Sequence, residues 1–179
     1  MAFPAKQITT EKSWDDLKLN GEVKSSVQDI INSLRSDNNS SEPHAINKSP
    51  GFRALFHGPA KSGKKTTAAF LAKETGRDIY KIDLSQLISK YVGDTEKNLE
   101  VLFARAEEKQ WILYFDEADE LFGKRGENKE PDDKYSNVEL SSLLQNIWHY
   151  SGLVIITAKK KKQIDEAYMK RFDKVLNFD

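Results

Sequence analysis

Residues 58–64 read Gly-Pro-Ala-Lys-Ser-Gly-Lys and directly follow a short apolar run, Phe52–His57. A helical pattern near Lys64–Thr75 comes next, so the glycine-rich segment joins a predicted strand to a predicted helix. In that context backbone N–H groups and the helix N-terminus favour an anion. The alternative, a glycine-rich turn that binds nothing, explains the letters of the loop but not their context. We therefore predict a phosphate-binding loop made of Gly58, Pro59, Ala60, Lys61, Ser62, Gly63 and Lys64.

A second apolar strand ends in two carboxylates. Residues 111–117 read Trp-Ile-Leu-Tyr-Phe-Asp-Glu, which places Asp116 and Glu117 at the C-terminal edge of a predicted parallel sheet, where open α/β folds bind ligands. Asp116 is the candidate to hold Mg²⁺, and Glu117 the candidate to orient and polarise an attacking water. Capping of the following helix explains one acid better than two. The two motifs are far enough apart for a helix, a strand and a second helix between them, which brings both to the same sheet edge.

The rest of the chain follows the same alternating pattern. From Gly51 onward, short apolar runs alternate with helical patterns, which is typical of a parallel sheet with crossover helices. Strands are predicted at Phe52–His57, Ile79–Leu84, Trp111–Phe115, Leu153–Thr157 and Val175–Phe178, and helices near Lys64–Thr75, Thr95–Glu108 and Val138–His149. The prediction is an α/β three-layer sandwich with a parallel sheet of about five strands.

The first 50 residues differ in character from this pattern. Gly21–Arg35 carries apolar residues at helical spacing and predicts an amphipathic helix, whereas Ser36–Pro50 is polar and predicts a flexible loop. We therefore divide the chain into residues 1–50, an N-terminal strand, helix and flexible loop, and residues 51–179, the nucleotide-binding region. Within the latter, the charged segment 123–134 predicts an exposed, mobile loop.

Composition narrows the classes of function. The chain has 179 residues, 38% of them apolar, enough for one globular domain. Lys plus Arg equals Asp plus Glu at 28 each, so no whole-molecule field draws it to nucleic acid or an anionic membrane. It has no cysteine for disulfides or thiolate metal sites, and its three histidines are too widely spaced to suggest a metal site. No segment resembles a signal peptide or a membrane span, so we expect a soluble, cytoplasmic protein.

Taken together, these stretches resemble the AAA+ ATPase family. The resemblance rests on Phe52-Arg-Ala-Leu-Phe-His-Gly-Pro, Ile82-Asp-Leu-Ser, Ser89-Lys-Tyr-Val-Gly-Asp-Thr-Glu-Lys-Asn-Leu, Tyr114-Phe-Asp-Glu-Ala-Asp-Glu-Leu-Phe-Gly-Lys-Arg and Ile164-Asp-Glu-Ala-Tyr-Met-Lys-Arg-Phe-Asp. It covers about Trp14 to the end of the chain. The chain resembles the large P-loop NTPase subdomain of a bacterial AAA+ protein in the unfoldase and remodelling branch.

The resemblance implies ATP as ligand, with Mg²⁺, and a tendency of the full-length protein to form homo-oligomeric rings. Lys64 would then contact the β- and γ-phosphates, and Arg171 would reach the nucleotide of a neighbouring subunit. Tyr91 would lie on a pore loop that grips a polypeptide substrate, although a tyrosine packed at the end of its own strand is the alternative. The chain stops after the last predicted strand, so the helical lid of family members is expected to be absent.

Three lysines depart from the family pattern. Lys65 takes the place of the Thr or Ser whose hydroxyl coordinates Mg²⁺, and Thr66 does not simply substitute, because one helical step turns a side chain by about 100°. Lys61 takes the place of a usual glycine, and Lys159 that of an Asn that senses the γ-phosphate. If Lys65 turns inward, its charge stands near the phosphate oxygens; if it points to solvent, Asp116 and water alone hold the metal. We expect weakened Mg²⁺ binding and slow or absent hydrolysis.

Two rival interpretations remain open from the sequence. The first is a pseudo-ATPase that keeps the fold, and perhaps the nucleotide, but serves as a structural or assembly scaffold; Lys65 and Lys159 favour it, while Lys64, Asp116 and Glu117 oppose it. The second is a nucleic-acid-binding module, which rests on the lysine run Lys159–Lys162 alone. In a neutral protein such a run is more often a solvated turn, so nucleic acid is the less expected partner.

Overall fold

The sheet has six strands, five of them parallel. A computed structural model describes residues 5–39, 51–83, 94–118, 122 and 137–179. The strands are β1 (Ala5–Ile8), β2 (Phe52–His57), β3 (Ile79–Ile82), β4 (Ile112–Phe115), β5 (Leu153–Ala158) and β6 (Lys174–Asn177). Their order is β1-β3-β4-β5-β2-β6, and only β1 runs antiparallel, against β3 at the sheet edge. The predicted α/β class with a parallel sheet is confirmed, with one strand more than the expected five.

The described helices are α1 (Gly21–Asn39), α2 (Lys64–Thr75), α3 (Asp94–Lys109), α4 (Asn137–His149) and the short α5 (Glu166–Met169). Asn20 caps the start of α1 by accepting a hydrogen bond from the Val23 N–H at 2.8 Å. Gly76 ends α2 in the left-handed conformation, with φ of 66°, and its N–H donates back to the last turn. Asn20 thus marks the start of α1, and Gly76 marks the end of α2.

Two apolar clusters fill the space on either side of the sheet. One joins α1 and α2 to the sheet, and the other joins α3 and α4 to it. The central strands β2, β4 and β5 are buried almost throughout, as expected for parallel strands covered on both faces. The face of α1 that meets the sheet consists of Val23, Val27, Ile30, Ile31 and Leu34, all at most 3% exposed. The three-layer arrangement therefore matches the prediction.

The predicted elements differ from the observed ones mainly at their ends. The helix predicted over Gly21–Arg35 continues to Asn39, so the first residues of the predicted flexible loop are helical. The remainder of that loop, residues 40–50, lies outside the described residues, as does the charged segment 123–134. The other predicted strands and helices coincide with observed ones to within one or two residues at each end.

The strand order determines where the site can form. Strand β5 lies between β4 and β2, and all three are parallel. Their carboxyl ends therefore open at one edge, which brings together the loop after β2, the carboxylates after β4 and the lysine after β5.

Candidate functional site

An open cleft of about 440 Å³ lies at this edge of the sheet. The loop before α2 forms one wall, and the ends of β4 and β5 form the other. Its lining consists of Lys12, Ala60, Lys61, Ser62, Gly63, Lys64, Lys65, Thr66, Tyr114, Asp116, Glu117, Thr157, Ala158 and Lys159. The predicted loop and the predicted acids thus share one cavity.

Two residues of the loop, Gly58 and Lys61, have backbone conformations that favour glycine. Gly58 has φ of 153°, and a Cβ at this position would come within 3.0 to 3.3 Å of Phe178. Glycine is therefore required where the loop leaves β2 beside the end of the chain. Lys61 adopts φ of 61°, in the left-handed region that non-glycine residues seldom occupy. The loop thus keeps a glycine-like bend at the position where the family resemblance leads us to expect glycine.

Lys64 begins α2 and turns its ammonium back over the loop. Its Nζ donates to the carbonyl oxygens of Gly58 at 2.6 Å and Pro59 at 2.7 Å, and to Ser62 Oγ at 3.3 Å. The helix N-terminus and the ammonium of Lys64 therefore lie at the same end of the cleft. That combination suits a phosphate group.

Thr157 fixes the two acids at the ends of the neighbouring strands. Its Oγ1 donates to Asp116 Oδ1 at 2.8 Å and accepts from the N–H of Glu117 at 2.9 Å. Glu117 has φ of 50°, so its backbone is held in the left-handed region. Tyr114 also donates to Asp116 Oδ1, at 3.5 Å. Burial and the nearby carboxylate of Asp116 raise the pKa of Tyr114, so its phenol keeps its proton.

Each of the two acids faces a lysine. Lys81 Nζ on β3 lies 3.5 Å from Asp116 Oδ2, and Lys159 Nζ after β5 lies 3.9 Å from Glu117 Oε1. Both oxygens of Asp116 are thus engaged, one by the Thr157 hydroxyl and the other by the Lys81 ammonium. Each of the two carboxylates therefore has an ammonium group of the same chain within 4.0 Å.

Three consecutive residues at the start of α2 differ in position. Lys65 is exposed and lines the cleft, and Thr66 lines it as well. Thr67 is fully buried, and its hydroxyl oxygen has no hydrogen-bond partner among the described residues. Of the two threonines that follow Lys65, Thr66 therefore lines the cleft and Thr67 does not.

Among the described residues that were predicted for the site, Arg171, Gly58 and Pro59 do not line the cleft. Arg171 is exposed, and its guanidinium carbon lies 5.3 Å from the centre of the Trp148 ring. Tyr91 lies outside the described residues. Of the lysine run, Lys159 lines the cleft, whereas Lys160, Lys161 and Lys162 are exposed on the turn that follows β5.

Five residues of the site were not predicted from the sequence: Lys12, Lys81, Tyr114, Thr157 and Ala158. A signal existed for Thr157, since it is a polar residue at the end of an apolar strand beside the predicted acids. Lys81 could have been found only from the register, which pairs it with Tyr114. Lys12 carries no signal, because only the tertiary fold brings its segment to the cleft.

Comparison with known proteins identifies the family of the chain. The model of the ATPase family associated with various cellular activities (AAA) matches residues 54–179. An uncharacterized AAA family ATPase, y4kL of Sinorhizobium fredii, is 32% identical over 127 residues, which is 71% of this chain. Protein SUPPRESSOR OF K(+) TRANSPORT GROWTH DEFECT 1 of Arabidopsis thaliana is 33% identical over 67% of this chain, and Spastin of Anopheles gambiae 31% identical over 71%. The chain spans 38%, 28% and 16% of these proteins, respectively.

Solved structures agree on the fold. The crystal structure of the FIGL-1 AAA domain in complex with ADP superposes with a TM-score of 0.69 at 21% identity. The superposition covers 97% of this chain and 57% of that one. No helix within the described part of the chain has the length and apolar character needed to cross a membrane.

Proposed function

Because the chain belongs to the AAA family of ATPases, we propose that it binds ATP or ADP in the cleft between the loop at 58–64 and the acids after β4. The observation that carries the proposal is that the loop, the start of α2 and both acids line one cavity of about 440 Å³. Lys64 and the N-terminus of α2 hold the β- and γ-phosphates, and Thr66 and Lys159 contact the same ligand from either side. By resemblance, the chain is a module of an ATP-driven machine that remodels proteins, with rings in the full-length protein and Tyr91 against the polypeptide substrate.

The residues present fit a tightly held Mg²⁺ poorly. A bound Mg²⁺ would supply positive charge that stabilises the phosphates. In this chain the expected hydroxyl after Lys64 is replaced by Lys65, and the expected metal ligand Asp116 already has both oxygens engaged, by Thr157 and Lys81. An ion at Asp116 would have to share that oxygen with the Lys81 ammonium. We therefore propose nucleotide binding with impaired hydrolysis.

Hydrolysis is further limited by the partner of Glu117. A carboxylate that acts as a general base needs a lone pair directed at water. The Lys159 ammonium lies 3.9 Å from Glu117 Oε1, so a water that approaches this oxygen would meet an ammonium group beside it. Arg171 would act on a neighbouring subunit's nucleotide, and in this chain its guanidinium lies over Trp148.

The two ion pairs specifically favour a second function, that of a pseudo-ATPase. In that function the chain binds nucleotide to stabilise its fold or an assembly and does not turn it over. The two candidates differ in a single-turnover measurement with radiolabelled ATP: a remodelling ATPase releases phosphate from bound ATP, and a scaffold retains ATP intact.

Titration calorimetry with ATP tests the shared proposal. The wild type should show weak binding, and Lys64→Ala should abolish it, since the loop loses its ammonium. Lys162→Ala is the matched control, because it removes an exposed lysine of the turn that does not line the cleft. Thermal melts of all three proteins confirm folding. Equal heats from the wild type and Lys64→Ala would overturn the site assignment.

A further inference from the structure

We propose that this cleft binds a nucleoside triphosphate as the free polyanion, with the ammonium groups of Lys65, Lys81 and Lys159 in the electrostatic place of a divalent ion. The inference rests on the proposed nucleotide function and specifies the charge class of its ligand. It is carried by the arrangement of lysines around the two acids.

Among the described residues, positive charges in and beside the cleft outnumber negative ones. Five lysines line the cleft: Lys12, Lys61, Lys64, Lys65 and Lys159. Lys81 adds a sixth ammonium through its contact with Asp116. Two carboxylates, Asp116 and Glu117, oppose them, so the cleft carries a surplus of four positive charges.

This surplus of positive charge is similar in size to the negative charge of free ATP. Free ATP carries about four negative charges at neutral pH, because its terminal phosphate alone contributes about two. A site with one lysine and two acids has a surplus of negative charge and repels free ATP until a cation is added. Here the protein already supplies the compensating charge. Adding a divalent ion would bring no further gain in neutralisation and would compete with lysines for the same oxygens.

The positions of these lysines in the fold agree with the proposed role. Lys65 stands on the first turn of α2, directly after the lysine that lies over the loop, and it lines the cavity. Lys81 and Lys159 approach the acids from the strands on either side of β4, namely β3 and the end of β5. No carboxylate of the described residues lies within 4.0 Å of Lys61 or Lys65, so their charge is not cancelled locally. The three lysines are thus distributed around the cleft, on α2, on β3 and after β5.

The experiment is an ATP titration of the 179-residue chain with excess Mg²⁺ and with excess chelator. The wild type should have the same dissociation constant in both conditions to within about threefold. The double variant Lys65→Thr/Lys81→Ser should bind at least tenfold more weakly in chelator, because the cleft then has two fewer positive charges to attract the phosphates. Mg²⁺ should recover part of that loss, since the variant restores a hydroxyl and releases Asp116. Lys162→Gln, outside the cleft, should behave as the wild type does.

Inorganic tripolyphosphate gives a second measurement. If recognition rests on phosphate charge, an excess of tripolyphosphate should displace ATP from the wild type in chelator. Failure to displace it would contradict the inference, because binding would then depend on the nucleoside. Thermal melts show whether the double variant is folded; if it is not, the single variant Lys65→Thr and the wild-type comparison decide.

The outcomes separate this inference from the proposed function. Loss of wild-type binding on chelation, by tenfold or more, would overturn the free-anion inference and leave nucleotide binding intact. Absence of binding in both conditions would overturn the proposed function itself.

Discussion

At the scale of single residues, Thr157 is the side chain on which both acids of the cleft depend. It is 0% exposed, and its hydroxyl links Asp116 to the backbone of Glu117. Thr157→Val should lower the free energy of unfolding by about 1–3 kcal/mol, because the Glu117 N–H loses its acceptor and the Asp116 carboxylate loses a donor. Thr157→Ser keeps the hydroxyl and should lose less. Urea denaturation measures both, and a valine variant as stable as the wild type would contradict the role.

Lys61 tests a different property of the loop, its strained backbone. Lys61→Gly should raise the free energy of unfolding by about 0.5–1 kcal/mol, since φ of 61° is costly for any residue with a Cβ. Lys61→Ala keeps the Cβ and should show no gain. Both variants lose the same charge, so both should weaken ATP binding in chelator to the same extent. A gain in stability for alanine equal to that for glycine would show that charge repulsion, and not backbone strain, is relieved.

The sequence alone was sufficient to predict the site residues that are contiguous in the chain. It was not sufficient for the residues whose positions depend on the register of neighbouring strands. The loop and the pair Asp116-Glu117 are contiguous, so their chemistry is visible in the text. The partners Thr157 and Lys81 come from other strands, and their contacts depend on which residues lie opposite each other across the sheet. Spacing along the chain does not contain that information.

At the scale of elements, Arg53 joins three of them at the edge opposite the cleft. It is 4% exposed, and its guanidinium donates to the carbonyls of Phe52, Trp148, Tyr150 and Gly152. It therefore ties the start of β2 to the end of α4 and the start of β5. Burial lowers the pKa of Arg53 to about 10, which still leaves it charged at neutral pH.

Replacement of Arg53 should destabilise the fold without touching the ligand. Arg53→Met should lower the free energy of unfolding by about 3 kcal/mol, because several buried carbonyls lose their donor together. Arg53→Lys keeps a single ammonium group, so its free energy of unfolding should lie between those of the wild type and Arg53→Met. At temperatures where the variants are folded, their affinity for ATP should equal that of the wild type. A large loss of affinity with normal stability would mean that this clamp also shapes the cleft.

Element types were predictable from the sequence because their apolar patterns are strong, and element ends were less so. Residues 36–39 continue α1 although they are all polar, since a helix already nucleated extends at little cost. Strand β1 was expected near the N-terminus but without bounds. It has four residues with two exposed, a pattern too short to locate. Its pairing with β3 supplies the backbone hydrogen bonds that the sequence does not show.

At the scale of the whole molecule, charge is unevenly distributed. The chain has no net charge, yet the cleft carries a surplus of four positive charges among the described residues. The remainder of the chain is therefore negative by the same amount. A small polyanion that enters the cleft meets only the positive part, whereas a long nucleic acid would also meet the negative remainder. The uneven distribution favours a compact phosphate ligand.

The state of assembly follows from the character of the surface. Among the described residues, Val101, at 54%, is the one large hydrophobic side chain that is exposed. Stable subunit interfaces have apolar cores, and the described part of this surface presents no exposed apolar patch of that kind. Without nucleotide, the isolated chain should therefore sediment mainly as a monomer of 20.4 kDa. Any association should need nucleotide, because a bound ligand would offer negative charge to the exposed Arg171 of another copy. Arg171→Ala should abolish nucleotide-dependent association and leave the monomer unchanged, whereas a stable hexamer in the absence of nucleotide would contradict this account of the surface.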